Sequence, residues 1–195
     1  MNRQRFPVFA VAFALLAFAP AAQASLITYR AALTAEPPAV SSGTGSVVLS
    51  YDPATFALRI QTTFSNLTTG VTVAHIHCCT SSAYTGTAGV AIVTPSLTDF
   101  PTGVTSGSYD RTFFLDQASS FGSAFVTANG GTVAGARSAL LAALDGGRAY
   151  LNIHTSRFTG GEIRGFPVPE PGTFALLALG LLGATAVRRR SRAAA

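Results

Sequence analysis

The stretch Gly45-Ser46-Val47-Val48-Leu49-Ser50-Tyr51-Asp52-Pro53-Ala54-Thr55-Phe56-Ala57-Leu58-Arg59-Ile60-Gln61-Thr62-Thr63-Phe64 decides the fold class. Apolar and polar residues alternate through both halves, with β-branched and aromatic side chains recurring at every second position, which is the period of a half-buried strand. Between the halves, Asp52-Pro53-Ala54-Thr55 is turn chemistry, so the stretch reads as a β-hairpin. The same reading, carried outward, predicts strands at Leu26 to Leu33, Val71 to His77, Ala88 to Val93, Ser108 to Leu115, Ala149 to His154 and Glu162 to Phe166. Glu36-Pro37-Pro38 and Ser42-Gly43-Thr44 separate the first of these from the hairpin. Thr132 to Leu144 breaks the rule: rich in Ala and Leu and closed by Asp145-Gly146-Gly147, it predicts a helix with a glycine stop. A shorter helical turn is expected within Ala118 to Ala128. Many short strands with one or two inserted helices predict an all-β, mainly antiparallel sandwich or barrel.

Both ends of the chain are of another kind. Arg3, Arg5 and the free amine precede an uncharged apolar run from Phe6 to Ala19, and Ala22-Gln23-Ala24 supplies small residues for a signal peptidase. These 14 residues would rise only about 21 Å as a helix, short of a hydrocarbon core about 30 Å thick. Residues 1–24 therefore read as a cleaved signal peptide, with cutting between Ala24 and Ser25. At the far end, Pro169-Glu170-Pro171 leads into an uncharged stretch, Thr173 to Val187, followed by Arg188, Arg189 and Arg190. The stretch reads as a short transmembrane helix whose arginines stay on the cytoplasmic side. Residues 168–195 thus form a tail, and 25–167 a single extracytoplasmic domain, with Phe166-Pro167-Val168-Pro169 as a stiff linker.

A Pro-Glu-Pro tripeptide, a short apolar helix and an arginine cluster, in that order, resemble a PEP-CTERM sorting signal. The resemblance implies a bacterial substrate of an exosortase-type membrane enzyme. It implies export across the inner membrane, transient anchoring through the tail, and then the cell surface or the extracellular space, in cells that make exopolysaccharide.

Composition removes one class of function. The chain carries a formal +5, but between Ser25 and Pro167 seven arginines meet seven acids, so the basicity lies in the two ends. A high isoelectric point is then no argument for nucleic acid. Cys78 and Cys79 are adjacent. In an oxidising compartment they form a vicinal disulfide, stay as two thiols, or bridge to another molecule.

The search for catalytic motifs is negative. There is no Gly-x-Ser-x-Gly elbow, no phosphate loop with its lysine and no His-Glu-x-x-His helix. The three histidines all fall in predicted strands: His75 and His77 in one, His154 in another. Residues two apart on a strand share a face, so His75 and His77 can aim at one point, and an adjacent His154 would complete a three-histidine site for Cu or Zn. The preferred reading is that they are structural, bonded to backbone and neighbouring strands, with the metal site as the alternative. Glu162 and Arg164, two apart within Gly161-Glu162-Ile163-Arg164-Gly165, could pair with each other or reach across to neighbouring strands, and a structural ion pair is the expected role.

Tyr29-Arg30-Ala31-Ala32-Leu33, Ala74-His75-Ile76-His77, and Ala149-Tyr150-Leu151-Asn152-Ile153-His154-Thr155 followed by Gly161-Glu162-Ile163-Arg164-Gly165 resemble a CHRD domain, the module named from chordin. The similarity spans nearly all of Ser25 to Phe166. It implies an immunoglobulin-like or superoxide-dismutase-like β-sandwich in an extracellular setting, with no established enzymatic activity. Cys78-Cys79 departs from the Gly-Pro-like residues common there. Two functions follow as expectations: a non-enzymatic surface or matrix protein that meets exopolysaccharide or matrix protein, or a Cu- or Zn-binding or redox protein using His75, His77 and His154. The His-x-His is similar to that of copper–zinc superoxide dismutase, but three histidines are one short of its copper set. Mass spectrometry of cell-associated and released protein should find Ser25 at the N-terminus and, in the released form, a C-terminus near Pro169; an intact arginine tail on released protein would contradict processing.

Overall fold

The computed structural model describes residues 26–93 and 95–170. The expected signal peptide with its Ala24–Ser25 junction, Pro171, the stretch 173–187 expected as an apolar helix, and Arg188 to Arg190 lie outside them. Nine strands and two helices follow in the order β1 (Ile27–Ala35), β2 (Thr44–Asp52), β3 (Ala57–Ser65), β4 (Val71–Cys78), β5 (Val90–Ile92), β6 (Gly107–Phe114), α1 (Ser123–Ala128), α2 (Val133–Asp145), β7 (Ala149–Thr155), β8 (Ile163–Gly165) and β9 (Val168–Pro169). A 3₁₀ turn, Ala118–Ser120, precedes α1. Among the described residues no helix is long and apolar enough to cross a membrane.

The hairpin forms as its pattern requires. Val47, Leu49 and Tyr51 on β2 and Leu58, Ile60, Thr62 and Phe64 on β3 are buried in strict alternation. The turn is closed by Asp52, whose carboxylate accepts the Ala54 N–H and the Thr55 hydroxyl, both at 2.8 Å. Phe56 completes the turn at φ 58°.

Every strand pair is antiparallel, and the order along the sheet is β5-β4-β7-β8-β1-β2-β3-β6, with β9 also on β1. The all-β expectation with short inserted helices describes the protein, and its sheet is curled into a half-barrel. Strand β1 joins the two halves of the curl. It pairs with β2 along Ile27 to Leu33 and with β8 at Thr34 and Ala35. Helix α2, capped by the Thr132 hydroxyl accepting the Gly135 N–H at 3.0 Å, presents Ala136, Leu140, Ala143 and Leu144 to the same core as Leu49, Ile60, Ile76 and Leu151.

Two elements differ from the sequence reading. The expected strand Ala88 to Val93 shrinks to Val90–Ile92, because Ala88 and Gly89 are used as loop partners instead. The expected linker at Val168-Pro169 is strand β9, because its backbone finds an open stretch of β1 beside Tyr29 and Arg30.

Strand β7 is buried at all seven positions. One of its faces is apolar and joins the core through Leu151 and Ile153; the other carries Tyr150, Asn152 and His154. Leu49→Ala, which empties a fully buried site, should lower unfolding free energy by about 2–5 kcal/mol. Val48→Ala, on the outer face of the same strand, should cost under about 1 kcal/mol. Urea titration of the two variants checks the difference.

Candidate metal centre

The polar face is built by register. His75 lies opposite Asn152, His77 opposite Tyr150, and Val73 opposite His154. Residues of like parity share a face, so β4 and β7 bring the three histidines together under a cover of loops. Each is 8% exposed. Ring centroids are 5.1 to 5.8 Å apart, and one nitrogen from each ring lies within 4.8 Å of the other two.

The outward nitrogens fix the protonation of the inward ones. His77 Nδ1 lies 2.9 Å from the Ala88 carbonyl, His154 Nδ1 2.9 Å from the Thr159 carbonyl, and His75 Nε2 2.6 Å from the Pro95 carbonyl. A carbonyl oxygen accepts and never donates, so each of these nitrogens carries the N–H. In a neutral ring the other nitrogen is then a lone pair: Nδ1 of His75 and Nε2 of His77 and His154. His75 Nδ1 and His154 Nε2 face each other at 3.3 Å, two acceptors with no proton between them in the neutral state. His77 Nε2 is buried with no partner among the described residues.

Burial also keeps the rings neutral. It is the largest influence on all three and pushes each imidazole below its usual value, His77 down to about 4. A buried imidazolium cluster is excluded by the same cost. Three neutral imidazoles, each with its far N–H on a backbone carbonyl, form the donor set and outer shell that a metal requires. Ligand bonds of about 2.1 Å at a tetrahedral angle put the nitrogens about 3.4 Å apart. The His75–His154 spacing already matches this.

The surroundings hold the carbonyls in place. Tyr150 stacks on His77 at 4.8 Å with planes 6° apart, and its hydroxyl accepts the Ala88 N–H at 3.3 Å. Ala88 is thus gripped from both sides, by Tyr150 and by His77. A cleft of about 400 Å³ lined by Glu36, Thr87, Phe158, Thr159 and Gly161 reaches the loops that supply two of the three carbonyls.

Other predicted residues are placed differently. Glu162 and Arg164 do not pair. Gly161, at φ 128°, turns the chain just before β8, so Glu162 precedes the strand and the alternation rule does not apply to it. The Glu162 carboxylate accepts the Ser41 hydroxyl, the Thr68 N–H and the Thr155 hydroxyl, each at 2.6 Å. Arg164 bonds instead to Glu36 at 3.0 Å and to the Gly86 carbonyl at 2.7 Å, on the histidine face. Cys78 and Cys79 are joined in a disulfide. Cys78 belongs to the apolar core, so the sulfurs are turned away from the histidines.

Comparison with protein families matches the CHRD domain over residues 29–166. The chain belongs to the CHRD-domain family. A PEP-CTERM protein-sorting motif follows at residues 167–190, which indicates export, sorting to the cell surface or extracellular space, and processing by an exosortase-type enzyme. Comparisons with curated proteins and with solved structures return no match. Within the CHRD domain, reasoning from sequence missed Tyr150, Asn152 and Glu36. The parity of Tyr150 and Asn152 with His154 was a usable signal; the carbonyls of Ala88, Pro95 and Thr159 gave none.

The Glu162 network makes a pH-dependent contribution to the CHRD fold. Burial raises its carboxyl pKa, but the Ser41, Thr155 and Thr68 donors outweigh that and leave it below the ordinary value. A depressed pKa contributes stability that is present above the unfolded value near 4.5 and is lost as pH falls through the lower folded value. Glu162→Gln should cost about 1.5–3 kcal/mol at pH 7 and flatten the stability profile below pH 5. Urea unfolding at several pH values checks this, and an unchanged acid slope in the variant contradicts it.

Proposed function

We propose that this CHRD domain is a metal-holding module of an exosortase-sorted extracellular protein, with one Cu or Zn ion bound by His75 Nδ1, His77 Nε2 and His154 Nε2. The observation that carries the reading is the convergence of three buried lone pairs, each enforced by a carbonyl on the ring's far side. A purely structural role leaves His77 Nε2 without a partner among the described residues and sets two acceptors 3.3 Å apart. Both features cost free energy in the absence of a shared cation, and an ion resolves both at once.

Imidazole ligands without thiolate or carboxylate suit Cu and Zn over Mg or Ca. A binding role rather than a catalytic one is supported by the depth of the rings beneath three loops. The surface or matrix setting comes from the sorting motif, independently of the histidines.

Metal analysis of the exported protein should find about one equivalent of Cu or Zn. His75→Ala/His77→Ala should abolish it. Loading at 100 times the dissociation constant should raise unfolding free energy by about 2.7 kcal/mol. A protein that takes up neither metal at micromolar supply contradicts the proposal.

A further inference from the structure

The sorting motif begins at residue 167, yet the chain has not left the domain there. Val168 and Pro169 pair antiparallel with β1, Arg30 opposite Val168 and Tyr29 opposite Pro169. Beyond the strand, the Glu170 N–H donates to the Thr28 carbonyl at 2.8 Å. The Glu170 carboxylate is ion-paired with the Arg30 guanidinium. Two of the three residues of Pro169-Glu170-Pro171 are therefore engaged by the first strand of the domain.

We propose that β1 is a built-in clamp on the sorting tripeptide, so that the membrane processing enzyme engages Pro169-Glu170-Pro171 only after β9 peels away from β1. The inference rests on the sorting reading and is independent of the metal. An enzyme that reads a peptide needs its backbone groups and side chains free or available for its own pairing. Here the Glu170 N–H is already donated, and the tripeptide's one charge is already neutralised by Arg30. Pro169 has no N–H to offer, which makes the Glu170 N–H the anchoring donor at this end.

The clamp joins the first and last described strands, so it exists only in the folded domain. It is also weak by construction. Strand β9 is two residues long and exposed, and the ion pair is half-exposed, at 55% and 44% for Arg30 and Glu170. Short exposed edges open locally far more readily than a core strand. The clamp therefore slows processing of the folded protein and does not forbid it.

The test uses the full chain in cells that carry the processing enzyme, following tail removal by pulse-chase and C-terminal mass spectrometry. Arg30→Glu puts like charges face to face and should speed removal about threefold to fivefold, the upper worth of an exposed ion pair. Arg30→Cys/Val168→Cys joins two directly opposed positions, whose Cα spacing in an antiparallel pair lies in the range a disulfide spans. The cross-linked form should lose its tail at least tenfold more slowly than wild type, with the rate restored by a reductant that leaves wild-type processing unchanged. Cross-linked protein cut at the wild-type rate would overturn the proposal, since the enzyme would then read the tail before folding or without freeing β9. Neither variant touches the histidines, so a failed clamp leaves the metal reading standing, and a protein without metal leaves the clamp testable.

Discussion

The antiparallel pairing of β4 with β7 is the constraint on which the rest of the structure depends. Strand β7 is buried throughout and β4 from Ala74 to Cys78, and their register sets which residues share a side. A one-residue slip would turn one of the two strands over, sending either Ile76 or Leu151 and Ile153 out of the core and that strand's histidines into it. The apolar side merges with β2, β3 and α2. The polar side is largely shut from water, so most of its groups must be satisfied by protein. Three separate loops fold over it and each lends a carbonyl to one histidine.

That satisfaction is incomplete in an informative way. Of the four buried side-chain polar atoms without a partner among the described residues, His77 Nε2, Asn152 Oδ1 and Glu36 Oε2 all belong to the histidine face. The Glu162 cluster shows that this chain can close a buried polar network fully, with three donors on one carboxylate. The open valences are thus localised, at the place where neutral, pre-aimed imidazoles already converge. Arg164 contributes by holding the 86–88 loop, bonding Gly86 while lying over the Tyr150 ring at 5.2 Å.

The strands were legible because alternation survives wherever one face is buried: Val47, Leu49 and Tyr51 announce β2 without any tertiary knowledge. Helix α2 was legible from Ala and Leu spacing and its glycine stop. The pairing of His75 and His77 on one face followed from period two alone. What brings His154 beside them is the β4–β7 pairing, a long-range event with no local signature. The Glu162–Arg164 pairing failed because a single positive φ at Gly161 moved Glu162 off the strand. Strand β9 was hidden for a different reason, since proline-flanked residues read as linker until a partner edge is known. Parity would have shown Tyr150 and Asn152 beside His154, whereas carbonyl partners are chosen by loops whose side chains carry no trace of that role.

The two ends and the centre thus divide the work of this CHRD protein. The sorting motif sets where it goes, and the histidine face holds the chemistry the domain has available once there. The central claim concerns protons on nitrogen, so long-range ¹H–¹⁵N correlation NMR of the metal-free protein tests it most directly. The account predicts N–H at Nδ1 of His77 and His154 and at Nε2 of His75, with the three inward nitrogens unprotonated at neutral pH and shifting together when Zn is added. A proton found on any inward nitrogen, or inward resonances indifferent to the metal, would contradict it.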